Sequence, residues 1–465
     1  MGKFFLDTGI TLSNQAWKLT GKKAAGEPGL KLELPEEPLE HMCSATLREV
    51  HERVAMPFGV RFRSRWLRAT GDSAAADSTE SAFASLLLRF TDPALAREVI
   101  RIFYLNRSLE GRMPLAIRPF TSSSLPAYPF TLLALSKYHD ISLDNEGTRE
   151  LFLKYLKFSD WLVINHKGDG GLYYHNDETW FRRDFLVKPL IDAEPLVATR
   201  WRDTLSLGLN CVMAWQYRIL SRCAIGGGEN RDARKLDNHA KKLAAFIHES
   251  FWNNDHKFYF DKLSGEPVLT PSALGLLPLA AEAATRLQAE ALVSRLDQVT
   301  APLCDTLDHA PYNAVTALLI MDGLSKYGYH TKAAALALKL ARATAALQGA
   351  RNSLVARTIA THALLEYVLG FVTLGPKRFV IFPRLPQSWT GKPGRIAIAP
   401  HNVALDFSLT DTGSVATSIA HPYGPDFSLS QPNNSVLNVD LQNPPAPRPE
   451  PRQNPPAANG ERNSS

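Results

Sequence analysis

Residues Thr204–Cys223 read TLSLGLNCVMAWQYRILSRC. Leu205, Leu207, Leu209, Val212, Met213, Trp215, Ile219 and Leu220 fall on every side of a 3.6-residue helix, so this segment predicts a helix buried all round. Such a helix needs other helices about it, and the flanking sequence supplies them. Upstream, helical patterning begins near Leu39 and continues through Ala82–Phe90, Ala94–Asn106, Pro126–Tyr138 and Thr148–His166. Asp92-Pro93 is a helix start, an N-cap followed by Pro at the first helical position. Downstream come Arg234–Phe251, Ser272–Ala283, Ala284–Leu296, Asn313–Tyr327, Lys332–Ala346 and Val355–Leu369. About eleven helices with short connections make either an open solenoid or a closed ring. A solenoid repeats every 34–47 residues or so. No such repeat is visible, which favours a closed α/α toroid.

The pattern changes towards the C-terminus. Phe379–Phe382, Arg395–Ile398, Val403–Leu409, Ser414–Ala420 and Phe427–Leu429 predict short strands, with Asp411 and Gly413 at a turn. Past Gln431 the chain is rich in Pro, Asn, Arg and Ser, a composition that cannot offset chain entropy by burial. The expected organisation is an irregular segment over 1–40, a mainly α toroid over 41–375, a small β-rich region over 376–430 and a disordered tail over 431–465. Two strands, Lys3–Leu6 and Leu30–Leu34, are candidates in the first segment.

Bulk properties exclude several functions. The chain has 465 residues, 45% hydrophobic and 21% charged, enough for a large core. Its net charge of +6 is spread without a dense basic run, which argues against a nucleic-acid partner. Met1–Leu12 is broken by Asp7 and Gly9 and is neither a signal peptide nor a membrane span. The four cysteines, Cys43, Cys211, Cys223 and Cys304, lack metal or disulfide spacing, so reduced thiols and a cytoplasmic setting are expected. His239 and His248 lie outside any HExxH pattern, and Gly226-Gly227-Gly228 precedes no GK[ST]. No metal, no cofactor and no membrane partner are expected, and oligomeric state is not encoded in any of these features.

Several segments resemble one family. FWNNDHKFYFDK (251–262), TPSALGLLPLAAEAA (270–284), HAPYNAVTALLIMDGLSKYG (309–328), HALLEYVLGFVTLGPKRFVIFPRLPQSWTG (362–391) and EGRMPLAIRP (110–119) resemble, in order and spacing, stretches of six-hairpin (α/α)6-toroid glycosidases. These include trehalases, processing α-glucosidases and mannosylglycerate hydrolase-like proteins. The resemblance implies a carbohydrate partner and hydrolysis of an α-linked glucoside or mannoside by two carboxylates.

An inverting enzyme sets an acid and a base across roughly 6.5–9.5 Å. The resemblance puts the acid in YYHNDETWFRRDF (173–185), where Glu178 and Asp184 are equal candidates and Asp177 a third. A solvated loop with internal ion pairs is the competing reading of this stretch. The base is missing from its expected place, because no Asp or Glu occurs between Asp322 and Glu366, and Glu366 sits mid-helix. Asp305 and Asp308 are the alternatives. Trp180, Arg182, Trp201, His309, Tyr312 and Asn313 are candidate sugar contacts, aromatic rings being suited to the apolar faces of sugars. A catalytically degenerate sugar-binding or scaffold protein is the second reading. A sugar lyase or epimerase using His175, His309 or Tyr312 is the third.

Overall fold

A computed structural model describes residues 29–442 except 169, 308, 309, 311, 348–352, 376, 399–401, 424 and 425. Local chemistry fixes where most helices begin. Asp77 caps helix α2 (Ser78–Thr91) by accepting from Thr79 N and Glu80 N at 2.8 and 3.0 Å. Asp92 caps α3 (Pro93–Leu105), whose first residue is Pro93, as its sequence predicts. Helix α4 is Phe130–Ser142, and Asp144 caps α5 (Asn145–His166). The short α6 (Glu178–Arg183) precedes α7 (Leu207–Gly226), capped by Ser206. The stretch predicted to be buried all round is α7, and its residues are buried on every side.

Further helices are α8 (Asn230–Phe251), α9 (Leu277–Ala280), α10 (Arg286–Ser294), α11 (Leu296–Asp305), α12 (Asn313–Lys326), α13 (His330–Ala346) and α14 (Leu354–Ala363); α1 is Glu37–Glu52, and two short helices, Lys188–Ala193 and Leu196–Thr199, lie between α6 and α7. Each inner helix packs on the next: α2 on α4, α4 on α7, α7 on α9, α9 on α12, α12 on α14, and α14 back on α2. The ring is therefore closed. Helices α3, α5, α8, α10 with α11, and α13 form the outer layer, and the N-terminal α1 covers α13 and α14. Six hairpins make an (α/α)6 toroid. At Gly323 a Cβ would lie 2.5 Å from Ala280 N, so only glycine lets α12 approach α9 this closely.

Two readings of the helices change. The expected helix Ser272–Ala283 is a 3-10 turn (Ala273–Leu276) followed by the single turn of α9, because Pro278 needs the first helical turn. Helix α11 was not expected, since Pro302 interrupts its pattern.

The longer strands follow the same logic. Strands β1 (Leu30–Glu33), β4 (Pro393–Ile398), β5 (Val403–Leu409), β6 (Ser414–Ala420) and β7 (Phe427–Pro432) form one antiparallel sheet in that order. Strands β2 (Phe371–Thr373), β3 (Arg378–Ile381) and β8 (Leu437–Asp440) form a second. Phe371, Ile381, Ile396, Leu405, Phe407 and Val415 line one apolar space between them. The expected disorder past Gln431 is corrected for residues 431–442: β8 pairs with β3, and Val439 and Leu441 are buried beneath it. Two apolar positions spaced by polar ones carried too little signal to be seen as a strand. The candidate strand Lys3–Leu6 and residues 443–465 lie outside the described residues.

Candidate active site

Every inner helix of an α/α ring points its N-terminus to the same face, so the segments preceding α2, α4, α7, α9 and α12 meet at one mouth. They bring Asp77, Tyr128, Asp184 with Phe185, Asp261, and Tyr312 respectively, with Glu80 in the first turn of α2. Phe185 is the centre of an aromatic floor. Its ring stacks on Tyr312 at 5.6 Å and meets the edge of Tyr128 at 5.1 Å and the ring of Phe130 at 6.1 Å.

Two carboxylates flank that floor. On one side, burial pushes the Asp77 carboxyl up to about 6, against the backbone N–H of Glu80 that lowers it. Asp77 nevertheless keeps part of its surface in contact with solvent. Strong desolvation with surface left over marks a recess rather than a core position. Tyr312 has the same character: it is 38% exposed, yet burial raises its phenol, with the Asp77 and Glu80 charges adding. Burial raises Glu80 as well.

On the other side Asp184 is closed in. One oxygen takes a hydrogen bond from Leu186 N at 2.9 Å, and the other lies 2.7 Å from His175 Nε2; both side chains are fully buried. Trp180 lies between His175 and His166, tilted against the first and edge-on to the second, with centroids at 4.7 and 4.5 Å. Burial lowers His166 to about 4, so that ring is neutral. Burial raises the Tyr128 phenol, and the Asp184 charge pushes the same way, which ties Tyr128 to this side of the floor. Asp261 lies behind, accepting from Leu207 N at the start of α7 at 2.8 Å. Burial and the Asp184 charge raise Asp261 to about 7.

The sequence-predicted residues divide. Trp180, Asp184 and Tyr312 gather about Phe185 and His175. Asn313 starts α12 and donates to Thr306 Oγ1 at 2.7 Å. Glu178 and Arg182 pair with each other at 2.8 Å on the exposed face of α6, the solvated arrangement weighed against a catalytic one. Asp177 is spent capping α6 through Trp180 N. Trp201 packs beside Phe181 in a satellite cluster with Val187, Leu190 and Val197. Asp305 is exposed at the end of α11. Asp308 and His309 lie outside the described residues. Glu366 is not at the mouth: it sits past α14 in a π-turn (Leu364–Val368), bonded to Lys137 Nζ at 2.6 Å.

Sequence reasoning missed Asp77, Glu80 and Asp261. The signal for the first was present: Asp77-Ser78-Thr79-Glu80 is an N-cap pattern, which places an acid at a helix mouth. Nothing in the sequence said that this helix belongs to the inner ring. Among the described residues no group of His, Cys, Asp and Glu could hold a metal, and no helix is long and apolar enough to cross a membrane. All four cysteines are buried and free.

Comparison with known proteins agrees with this architecture. Residues 184–303 match the family model described as mannosylglycerate hydrolase MGH1-like glycoside hydrolase domain. A GH63 mannosylglycerate hydrolase from Thermus thermophilus, solved in complex with glucose, superposes with a TM-score of 0.51 at 17% identity over 69% of this chain and 99% of its own. An α-L-rhamnosidase from Dictyoglumus thermophilum gives 0.55 at 14% identity over 86% of this chain and 45% of its own. One from Aspergillus terreus gives 0.55 at 10% identity over 90% of this chain and 51% of its own. No curated protein matches by sequence. The chain thus has the α/α-toroid fold of these glycosidases, and residues 184–303 resemble a glycoside hydrolase domain in sequence.

Proposed function

We propose that this protein hydrolyses an α-linked glucoside or mannoside at the mouth of the ring, with inversion, using Asp184 as acid and Asp77 as base. The reading is carried by one observation: two carboxylates flank the Tyr128–Phe185–Tyr312 floor, one closed in and one that keeps part of its surface in solvent. Asp184 stands in the segment where the resemblance puts the acid, buried and within hydrogen-bond reach of His175, an enclosed setting suited to proton transfer. Asp77 takes the place of the base absent from the sixth hairpin. Its carboxyl ionises near pH 6 and its open surface admits the attacking water. The aromatic floor offers faces for the apolar side of a pyranose. The free, buried thiols support a cytoplasmic setting for this activity.

The second reading, a sugar-binding protein without hydrolysis, is favoured by Asp184 itself, whose two oxygens are both engaged and shut from solvent. A panel of nitrophenyl α-glucosides and α-mannosides and of α-disaccharides separates the two, with product anomers followed by NMR. Asp77→Asn keeps a residue that caps well, so α2 survives and only the charge goes. Asp77→Asn and Asp184→Asn should each cut kcat/KM by about 100-fold or more, while Glu178→Gln leaves it unchanged. Full activity in both Asn variants would reject the assignment. Sugar binding without turnover in the wild type would establish the second reading.

A further inference from the structure

A groove of about 450 Å³ runs along the outer wall, between α5 and the loop that follows α3. Its lining is Arg107, Glu146, Arg149, Glu150, Lys154 and Lys157, with Leu153 as an apolar side. Glu150 sits under it and is shared by three cations: Arg97 at 2.9 Å, Arg101 at 3.1 Å and Lys154 at 2.9 Å. One carboxylate cannot neutralise three, even though Arg97 also reaches Asp144 at 3.4 Å. Arg149 is committed to Glu229. Arg107 and Lys157 pair with no acid among the described residues. The Nε atoms of Arg97, Arg101 and Arg107 are buried and lack an acceptor. Donors thus exceed acceptors along one wall; Arg97, Arg101 and Lys154 are about a third exposed, where charge is less screened than in open water, and Lys157 stands exposed at the end of the wall.

We infer that this groove binds a small molecule bearing two oxyanion groups, one seated at Lys154 and the other between Arg107 and Lys157. Lys154 and Lys157 stand three residues apart on α5, about 4.5 Å by helical rise, which sets the separation of the two anionic groups. The volume is that of a small-molecule site. Guanidinium and ammonium donors favour phosphate, sulfate or carboxylate oxygens over neutral hydroxyls. The site lies on the outer layer and does not depend on the hydrolytic reading of the mouth.

Calorimetric titration of the full chain tests it with two probes, inorganic pyrophosphate and digalacturonate. Binding of pyrophosphate alone assigns the groove to phosphoryl compounds, and binding of digalacturonate alone assigns it to uronates; either supports a dianion site. The double variant Arg107→Gln/Lys157→Gln should weaken the bound anion by about tenfold or more. Glu146→Gln, which removes a lining carboxylate with no cation partner, should tighten it. Neither anion binding at millimolar concentration, unchanged affinity in the double variant, or weakening by Glu146→Gln would overturn the inference.

Discussion

Replacing Glu366 by Gln should destabilise this protein by about 3 kcal/mol, more than any exposed ion pair could account for. Glu366 lies at the end of the ring opposite the mouth. One oxygen is 2.6 Å from Lys137 Nζ, and the other is 3.4 Å from His362 Nε2 and 3.9 Å from Arg89. Arg89 is 3% exposed and His362 1%. Burial alone would push the Glu366 carboxyl up, but Lys137, His362 and Arg89 outweigh it and hold it at about 2, from an ordinary 4.5. At about 1.4 kcal/mol per pKa unit that gap is worth about 3 kcal/mol. Breaking a buried pair by removing one partner costs about 3–5 kcal/mol, an independent figure of the same size. The amide keeps the shape, so the loss is electrostatic.

The sign with pH follows. Because the folded-state value is depressed, the Glu366 contribution is complete above about 4.5 and disappears as pH falls towards about 2. His362 acts in the same direction. Burial holds it neutral down to about 3, so below about 6.5 the unfolded chain takes up a proton that the folded one refuses. Urea unfolding followed by tryptophan fluorescence and circular dichroism, at pH 7, pH 5 and pH 3, measures both effects, His362 between the first two and Glu366 between the last two. The Glu178→Gln variant, which breaks an exposed pair worth about 0–1 kcal/mol, is the control. A Glu366→Gln loss no greater than that of the control would refute the reasoning.

Other expectations follow from single contacts. Asp77→Ala should cost about 1 kcal/mol in urea unfolding through loss of the α2 cap, and Asp77→Asn should restore it. If Asp77 is the base, kcat/KM should fall as pH drops below about 6, the value at which burial holds its carboxyl, and a profile flat from pH 5 to pH 8 would remove it from that role. His175→Ala should cost about 3 kcal/mol by leaving Asp184 buried without its donor, measurable by the same unfolding assay. Gly370→Ala should destabilise by at least about 1–2 kcal/mol, because φ is +68° and a Cβ would stand 1.9 Å from the Phe382 carbonyl oxygen.

The mouth was only partly legible in the sequence. Asp184 was picked out by resemblance and Trp180 and Tyr312 as aromatic rings in loops or at helix starts, and they gather about Phe185 and His175. Glu178 and Arg182 pair with each other on the exposed face of α6, whose six residues turn successive side chains to opposite sides, and Trp201 packs on Phe181. Asp77 stands more than a hundred residues from Asp184, and no local pattern links them.

What the sequence determined by itself was local. Period, caps and prolines set about eleven helical segments and most strand positions, since each depends on neighbours within a few residues. It also determined that the ring would lack a carboxylate in the segment before α14. What only the tertiary structure decided was which helix ends share a face, that α14 closes on α2, and that β8 completes a sheet begun about sixty residues earlier. Those facts depend on contacts between distant segments, whose energy comes from burial against a surface that exists only once the ring has closed.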